Sequence, residues 1–265
     1  MVTLLQGDVT AVVLAGGQGE RFRPYTEIIP KPMIPVGNNE KPVLELVVKW
    51  LRRHGVSRIV FLVNYKWRYI YNYFGDGSRF DVSITYSIDE EGGYSNTGGA
   101  ILKAYRDGLI KGRALIWYGD ILAPLDVPDL LRYHSGAGSD LTLVVTNRYR
   151  VPVGVVKVDN DYNVVEMREK PELDINATIG VAVAELRVFS EGLERELGRD
   201  FDFMGNLVPW LINNGYRVKA YIYSGEWFDV GSLERYKKLD MEWVTRVFDQ
   251  EPNALSPASP RPGTM

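Results

Sequence analysis

The stretch Leu14-Ala-Gly-Gly-Gln-Gly-Glu-Arg21 places three glycines directly behind a short apolar run. Glycines there let the backbone approach a ligand closely and turn N–H groups toward anionic oxygens. Arg21 and Arg23 follow at once, and Lys31 stands between Pro30 and Pro32, which restrict the backbone and hold the ammonium in one direction. A planar guanidinium and a rigid ammonium beside a glycine cradle suit a triphosphate. Taken singly, the two cations also read as solvated charges and the glycines as a tight turn. Common phosphate motifs do not fit: Phe22 stands where a dinucleotide fingerprint needs its third glycine, and no G-K-[ST] ends the loop.

Two acids sit in comparable surroundings. Asp120 ends Tyr118-Gly-Asp, and Asp229 lies in Glu226-Trp-Phe-Asp-Val-Gly231. Magnesium in nucleotide enzymes takes one or two carboxylates together with phosphate oxygens. Alone, each aspartate reads equally as a turn residue or helix cap. Glu169-Lys170-Pro171 offers a carboxylate for vicinal hydroxyls and an ammonium for a phosphate, or simply an exposed charged turn.

The elements that must position these residues alternate. Thr10–Leu14, Arg58–Asn64, Val82–Ser87, Ala114–Tyr118 and Asp140–Thr146 read as strands, and Val43–Arg53, Trp67–Phe74, Gly99–Leu109 and Val127–His134 as helices. Such alternation predicts βαβ units and a mainly parallel sheet, whose ligands sit beyond the carboxyl ends of the strands. The loops after Leu14 and Tyr118 lie at such ends. The second half predicts strands over Gly154–Val158, Val164–Arg168, Thr178–Glu185 and Arg217–Tyr223, a helix over Phe203–Asn213 and a terminal helix over Leu233–Phe248. No repeat is visible and no hexapeptide array follows residue 230, so no β-helix is expected there. One α/β domain over residues 1–249 is expected, with 250–265, rich in proline and Ser/Thr, a flexible tail.

The chain has 265 residues, 45% hydrophobic and 25% charged, with a net charge of -3. That suits a soluble globular protein and disfavours nucleic acid as a partner. Cysteine is absent, which excludes disulfides and thiolate metal sites and is compatible with a cytoplasmic location. No apolar run approaches the ~20 residues that span a bilayer. His54 and His134 read as surface residues near helix ends, without a metal or base role. Trp67, Tyr69, Tyr71 and Tyr73 read as helix packing or a subunit contact, compatible with a homo-oligomer.

Leu14-Ala-Gly-Gly-x-Gly-x-Arg-x-x-Pro-x-Thr26 followed by Pro30-Lys-Pro-Met-x-Pro-Val36 resembles the signature of the sugar-phosphate nucleotidyltransferases. The family includes glucose-1-phosphate thymidylyl- and uridylyltransferases and mannose-1-phosphate guanylyltransferases, and further matches run to Gly231. The resemblance implies a single Rossmann-like α/β domain with a mixed, mainly parallel central sheet. It implies that Leu14, Ala15, Gly16, Gly17, Gly19, Arg21 and Lys31 bind the nucleotide and its phosphates, and that Asp120 and Asp229 ligate Mg2+. It further implies that Glu169 bonds sugar hydroxyls, that Lys170 contacts the sugar's phosphate, and that Gly154 lies against the sugar. Asn96-Thr-Gly-Gly-Ala100 stands where many members carry G-T-A or G-T-G. Thr97 there is expected to cap the next helix, and Gly98 and Gly99 to let a base or ribose lie on the backbone.

The implied reaction joins a nucleoside triphosphate to a sugar-1-phosphate, with Arg21, Lys31, Asp120 and Lys170 as the catalytic set. Asp89-Glu-Glu-Gly-Gly-Tyr94 departs from the Gln-Pro or Glu-Pro segment that several members use beside the base, and Gly37–Pro42 is longer than usual. The base is therefore left open among guanine, thymine and uracil. Two alternatives share the fold. A cytidylyltransferase for a phosphomonoester such as phosphocholine would lack partners for sugar hydroxyls. A non-catalytic homologue would lose residues of the Arg21, Lys31 or aspartate kind.

Overall fold

A computed structural model describes residues 9–89, 93–151 and 153–249. Seven strands form its central sheet: β1 Val9–Leu14, β2 Arg58–Val63, β3 Ser83–Ile88, β4 Arg113–Tyr118, β5 Leu141–Thr146, β6 Ala177–Ala184 and β7 Val218–Ile222. The spatial order is β7-β5-β6-β4-β1-β2-β3. β1 pairs in parallel with β2 and β4, β2 with β3, and β7 with β5, while β6 runs antiparallel to both its neighbours. The sheet is thus mixed and mainly parallel, as the alternating pattern predicts.

Side chains along these strands go alternately to two cores, as period-2 geometry requires. Ala11, Val13, Leu115 and Trp117 enter one core, with α1 (Val43–Arg53), α2 (Trp67–Phe74), α4 (Val127–Gly136) and Phe248. Val12, Ala114, Ile116 and Ala182 enter the other, with α3 (Asn96–Arg106), α5 (Glu191–Leu197) and α6 (Val208–Asn213). Strands buried on both faces must be continuously apolar, which is why they read so clearly in the sequence. Trp117 is enclosed, and its indole N–H donates to the Ile121 carbonyl at 2.9 Å, which ties β4 to the turn carrying Asp120.

Several elements differ from the sequence reading. The stretch expected as one helix over Phe203–Asn213 opens with a wide turn, Phe203–Leu207, in which the Leu207 N–H donates to the Asp202 carbonyl at 3.1 Å. Asp202 also accepts from the Gly205 N–H, and Pro209 has no N–H to give, so the ordinary ladder starts only at α6. The expected terminal helix is broken. Leu233–Tyr236 ends, and Asp240 starts a new helix, Met241–Val244, by accepting from the N–H groups of Glu242 and Trp243 at 2.9 and 3.0 Å. His134 is fully buried, its Nδ1 2.7 Å from the Thr142 hydroxyl.

α3 begins at Asn96, three residues before the expected start, which places Thr97, Gly98 and Gly99 within its first turn. The N-cap position falls to Ser95, so Thr97 does not cap the helix. The N–H groups of Gly98 and Gly99 donate to the Phe201 carbonyl at 2.9 and 3.1 Å. A Cβ on Gly98 would stand 2.3 Å from the Phe201 ring, and one on Gly99 2.1 Å from the Arg199 carbonyl oxygen. The close approach that demands glycine here is to the 199–201 segment. Gly99→Ala is expected to destabilise the fold by about 1–3 kcal/mol, since backbone must move to admit the methyl. Urea denaturation would measure it, and an unchanged midpoint would show that the segment gives way freely.

Candidate active site

The carboxyl ends of four adjacent strands open into one cavity of about 640 Å³. β1 delivers Leu14 through Gln18, β2 Asn64, β3 Asp89, and β4 Tyr118 and Asp120. Arg21, Lys31, Asp229 and the start of α3 complete the wall.

The glycine loop leaves β1 through a tight gap. The Ala15 N–H donates to the Leu62 carbonyl at 2.8 Å, and the Gly119 N–H to the Leu14 carbonyl at 2.9 Å. A Cβ on Gly119 would lie only 2.9 Å from the same Leu14 oxygen. Gly17 has open space in front of it, so its backbone faces the cavity unobstructed. Gly19 serves differently: at φ 66° its missing Cβ makes room for Thr26 and Lys31, and the Thr26 hydroxyl donates to its carbonyl at 2.9 Å.

Lys31 opens a single turn, Lys31–Met33, in which Pro32 and Met33 are buried. This anchor aims Nζ at Asp120, whose Oδ2 is 2.5 Å away. Asp120 and Asp229, far apart in sequence, are joined by a two-residue antiparallel ladder, Ile121–Leu122 against Phe228–Asp229, and the Val230 N–H donates to the Asp120 carbonyl at 2.9 Å. Asp229 Oδ2 is held by Arg235, while its Oδ1 is buried with no hydrogen-bond partner among the described residues. Arg21 approaches the same corner, since a Cβ on Gly231 would lie 3.2 Å from its guanidinium. Among the described residues no group of three or more His, Cys, Asp or Glu gathers, so a cation here would have two carboxylates at most. An orphaned carboxylate oxygen beside a second carboxylate fits a hard divalent cation that takes its remaining ligands from phosphate and water.

Glu169 and Lys170 stand outside the cavity lining. Their side chains are more than half exposed and face each other at 3.5 Å, with Lys170 at φ 46°. Gly154 lies beside them: a Cβ there would come within 3.1 Å of Glu169 Oε2. Lys238 and then Lys170 hold the Glu234 carboxyl below its ordinary range, so the turn flanks the short helix that carries Arg235. Thr97 lines the cavity, but its hydroxyl donates to Asp202 at 2.6 Å and accepts from the Phe203 N–H at 2.8 Å. Burial first, then the charges of Asp202 and Asp120, push Tyr118 up to about 12, so it stays a neutral donor at the cavity wall. Glu90–Gly92 and Pro152 lie outside the described residues.

Sequence reasoning missed Gln18, Asn64, Asp89 and Arg235. Asp89 carried a signal, an acid closing an apolar alternating strand, as Asp120 does. Burial raises its carboxyl to about 6, with the charge of Lys103 working against that. The unfolded carboxyl titrates near 3.8. At pH values below that, both states are protonated and no cost arises; the cost grows through the window between the two values and is complete above about 6. Asp89→Asn is thus expected to raise Tm by about 2 °C at pH 7.5 and to leave it unchanged near pH 3.5. Calorimetric scans at the two pH values check this, and a lower Tm at pH 7.5 contradicts it.

A glycine loop, fixed cations and a carboxylate pair collected at the carboxyl ends of parallel strands are the features that a phosphate-handling nucleotide site requires. Residues 10–245 match the family described as Nucleotidyl transferase, and the chain belongs to it. It is 31% identical over 241 residues to the UTP–glucose-1-phosphate uridylyltransferase of Synechocystis, covering 85% of this chain and 61% of that one. It is 30% identical over 236 residues to the D-glycero-alpha-D-manno-heptose 1-phosphate guanylyltransferase of Aneurinibacillus thermoaerophilus, covering 88% of this chain and 97% of that one. The chain therefore spans about three-fifths of the uridylyltransferase and nearly all of the guanylyltransferase. Among solved structures, HddC from Yersinia pseudotuberculosis superposes with a TM-score of 0.67 at 25% identity, over 86% of this chain and 96% of that one.

Proposed function

We propose that the chain transfers a nucleoside monophosphate from a nucleoside triphosphate to a hexose-1-phosphate. A phosphate oxygen of the sugar-1-phosphate attacks the α-phosphorus, a new P–O–P bridge forms, and the bond to the β-phosphate breaks, releasing pyrophosphate. The nucleophile is already an anion, so no base need take a proton. Catalysis is then positioning and charge neutralisation. The observation that carries this reading is the meeting of the glycine loop, Arg21, Lys31 and the Asp120–Asp229 pair in one cavity.

Each residue has a part in that scheme. Gly16 and Gly17 present backbone to the triphosphate, with Leu14 and Ala15 as floor, and Gly19 keeps the loop's turn. Arg21 and Lys31 neutralise phosphate oxygens. Asp120 and Asp229 would hold Mg2+, which when bound supplies positive charge to the reacting phosphates. Lys170 holds the attacking phosphate and Glu169, against Gly154, accepts from sugar hydroxyls. That last pairing favours a sugar over a simple phosphomonoester such as phosphocholine, and the retention of both cations and both acids favours an enzyme over a non-catalytic homologue. Thr97 and Gly98 serve the nucleotide through the position of α3 rather than by direct contact.

Pyrophosphate release tests the reading, with each triphosphate paired against glucose-, mannose- and heptose-type 1-phosphates in Mg2+. Release is expected only when both substrates are present. Release at the same rate without the sugar phosphate would make the protein a hydrolase and defeat it.

A further inference from the structure

Asp229 has one carboxylate oxygen taken and one left over. Oδ2 is held by Arg235, while Oδ1 is buried with no hydrogen-bond partner among the described residues. The terminal bond of an aspartate has broad rotational preferences, so a free carboxylate presents either oxygen, or both at once, to a ligand. A charge-assisted bond to one oxygen, roughly twice as strong as a neutral one, removes that freedom. Gly231 supplies the room the acid needs, since a Cβ there would stand 2.3 Å from Oδ1.

Several contacts place the Arg235 guanidinium. The Ser232 hydroxyl accepts from the Arg235 N–H at 3.3 Å and caps the helix Leu233–Tyr236. Next in the chain, Tyr236 sets its ring edge-on to Phe22, with centroids 6.0 Å apart, and its hydroxyl donates to the Pro35 carbonyl at 2.9 Å. The helix is thereby tied to the glycine loop at Phe22 and to the segment after the Lys31 turn at Pro35. Its own acid, Glu234, pairs with Lys238 and leaves Arg235 to Asp229. Lys31 lines the cavity as well as holding Asp120, whereas Arg235 is no part of the cavity wall. Arg235 therefore acts through Asp229 and not on a phosphate.

How many oxygens a carboxylate offers separates hard cations by size. Ca2+ takes about six to eight oxygens in flexible arrangements and accepts both oxygens of one carboxylate. Mg2+ is smaller and demands near-ideal octahedral angles, which the narrow bite of a two-oxygen carboxylate does not meet. We propose that Arg235 is a positioning residue: by pinning Oδ2 of Asp229 it leaves Oδ1 alone to meet a divalent cation, and so favours Mg2+ over Ca2+ at the carboxylate pair. This rests on Asp120 and Asp229 being the cation site of the proposed transfer.

The test needs no turnover and no choice of base. Calorimetry compares the binding of inorganic tripolyphosphate as its Mg2+ and its Ca2+ complex to the wild type, Arg235→Ala, Arg235→Lys and Asp229→Asn, with a retained thermal transition as evidence that each variant is folded. The wild type is expected to bind the Mg2+ complex more tightly. Arg235→Ala is expected to weaken the Mg2+ complex about tenfold, as loss of a group orienting a metal ligand does, and to leave the Ca2+ complex within about twofold, because the freed carboxylate can then offer both oxygens. Arg235→Lys keeps a charged donor for the one oxygen contacted and is expected to bring the Mg2+ preference back to within about threefold of wild type. An unchanged preference in Arg235→Ala, or equal losses for both complexes that lysine does not restore, would overturn the role of Arg235 and leave nucleotidyl transfer standing. Tighter binding of the Mg2+ complex by Arg235→Ala would make the guanidinium a rival of the cation and overturn it too. Asp229→Asn binding both complexes as the wild type does would remove the acid from the cation site, and the metal part of the transfer reading would fall together with this proposal.

Discussion

Asp120→Asn lowers turnover about a hundredfold or more, and Asp229→Asn does the same, with the fold intact in both. Each change swaps a charged oxygen for a neutral amide at the corner where, in the proposed reaction, the reacting phosphates gather charge. A divalent cation held there stabilises that charge by several kcal/mol, and each 1.36 kcal/mol lost is tenfold in rate. The fold should survive because the two segments are joined through the backbone, and an asparagine can still accept from Lys31 or Arg235. The Val230 N–H donates to the Asp120 carbonyl, and the ladder that joins the two segments uses main-chain bonds. In the Asp120→Asn variant Lys31 can still donate to the new amide oxygen. The readout is initial pyrophosphate release across a magnesium titration, with circular dichroism as the control. A variant that keeps turnover within threefold of wild type at limiting magnesium would remove that residue from the ligand set.

Lys31→Ala and Lys170→Ala should part company. Lys31 is held by a proline-braced turn, mostly buried and in contact with Asp120, so its loss weakens the triphosphate by about 10–100-fold and leaves a carboxylate without its counter-ion. Lys170 is exposed in the turn beside Glu169, outside the cavity lining, so its loss raises the KM for the sugar phosphate and leaves triphosphate affinity within about twofold. Steady-state kinetics with each substrate varied in turn, together with calorimetry of the triphosphate alone, resolve the two. Equal changes in both substrates for either variant would refute the division of labour.

Much of the frame was legible because its physics is local. β1, β2 and β4 are buried on both faces, so they show as unbroken apolar runs bounded by turn residues. The glycine loop and the aspartate after Tyr118 follow those runs directly, and in a parallel sheet the exits of such strands are where ligands lie. What stayed hidden depends on partners distant in sequence. Nothing local says that Asp89 Oδ1 will be enclosed without a donor, or that Arg235 will reach back to Asp229. Gly98 and Gly99 looked like room for a ligand, yet the neighbour that needs the space is the 199–201 backbone and Phe201 ring, about a hundred residues on. The break at Asp240 was misread because apolar periodicity continues past it while a capping side chain, not a change of pattern, ends one helix and begins the next.

The ladder between Ile121–Leu122 and Phe228–Asp229 has a consequence for assembly. Two residue pairs cannot repay the entropy of closing so long a loop, which grows with the logarithm of its length. The junction is therefore expected to form after β5, β6 and β7 have been laid down beside β4 and have brought its two halves within reach. Competence is thus expected to be the last property the chain acquires as it folds and the first it surrenders as it loosens, the acids separating while most of the sheet still stands.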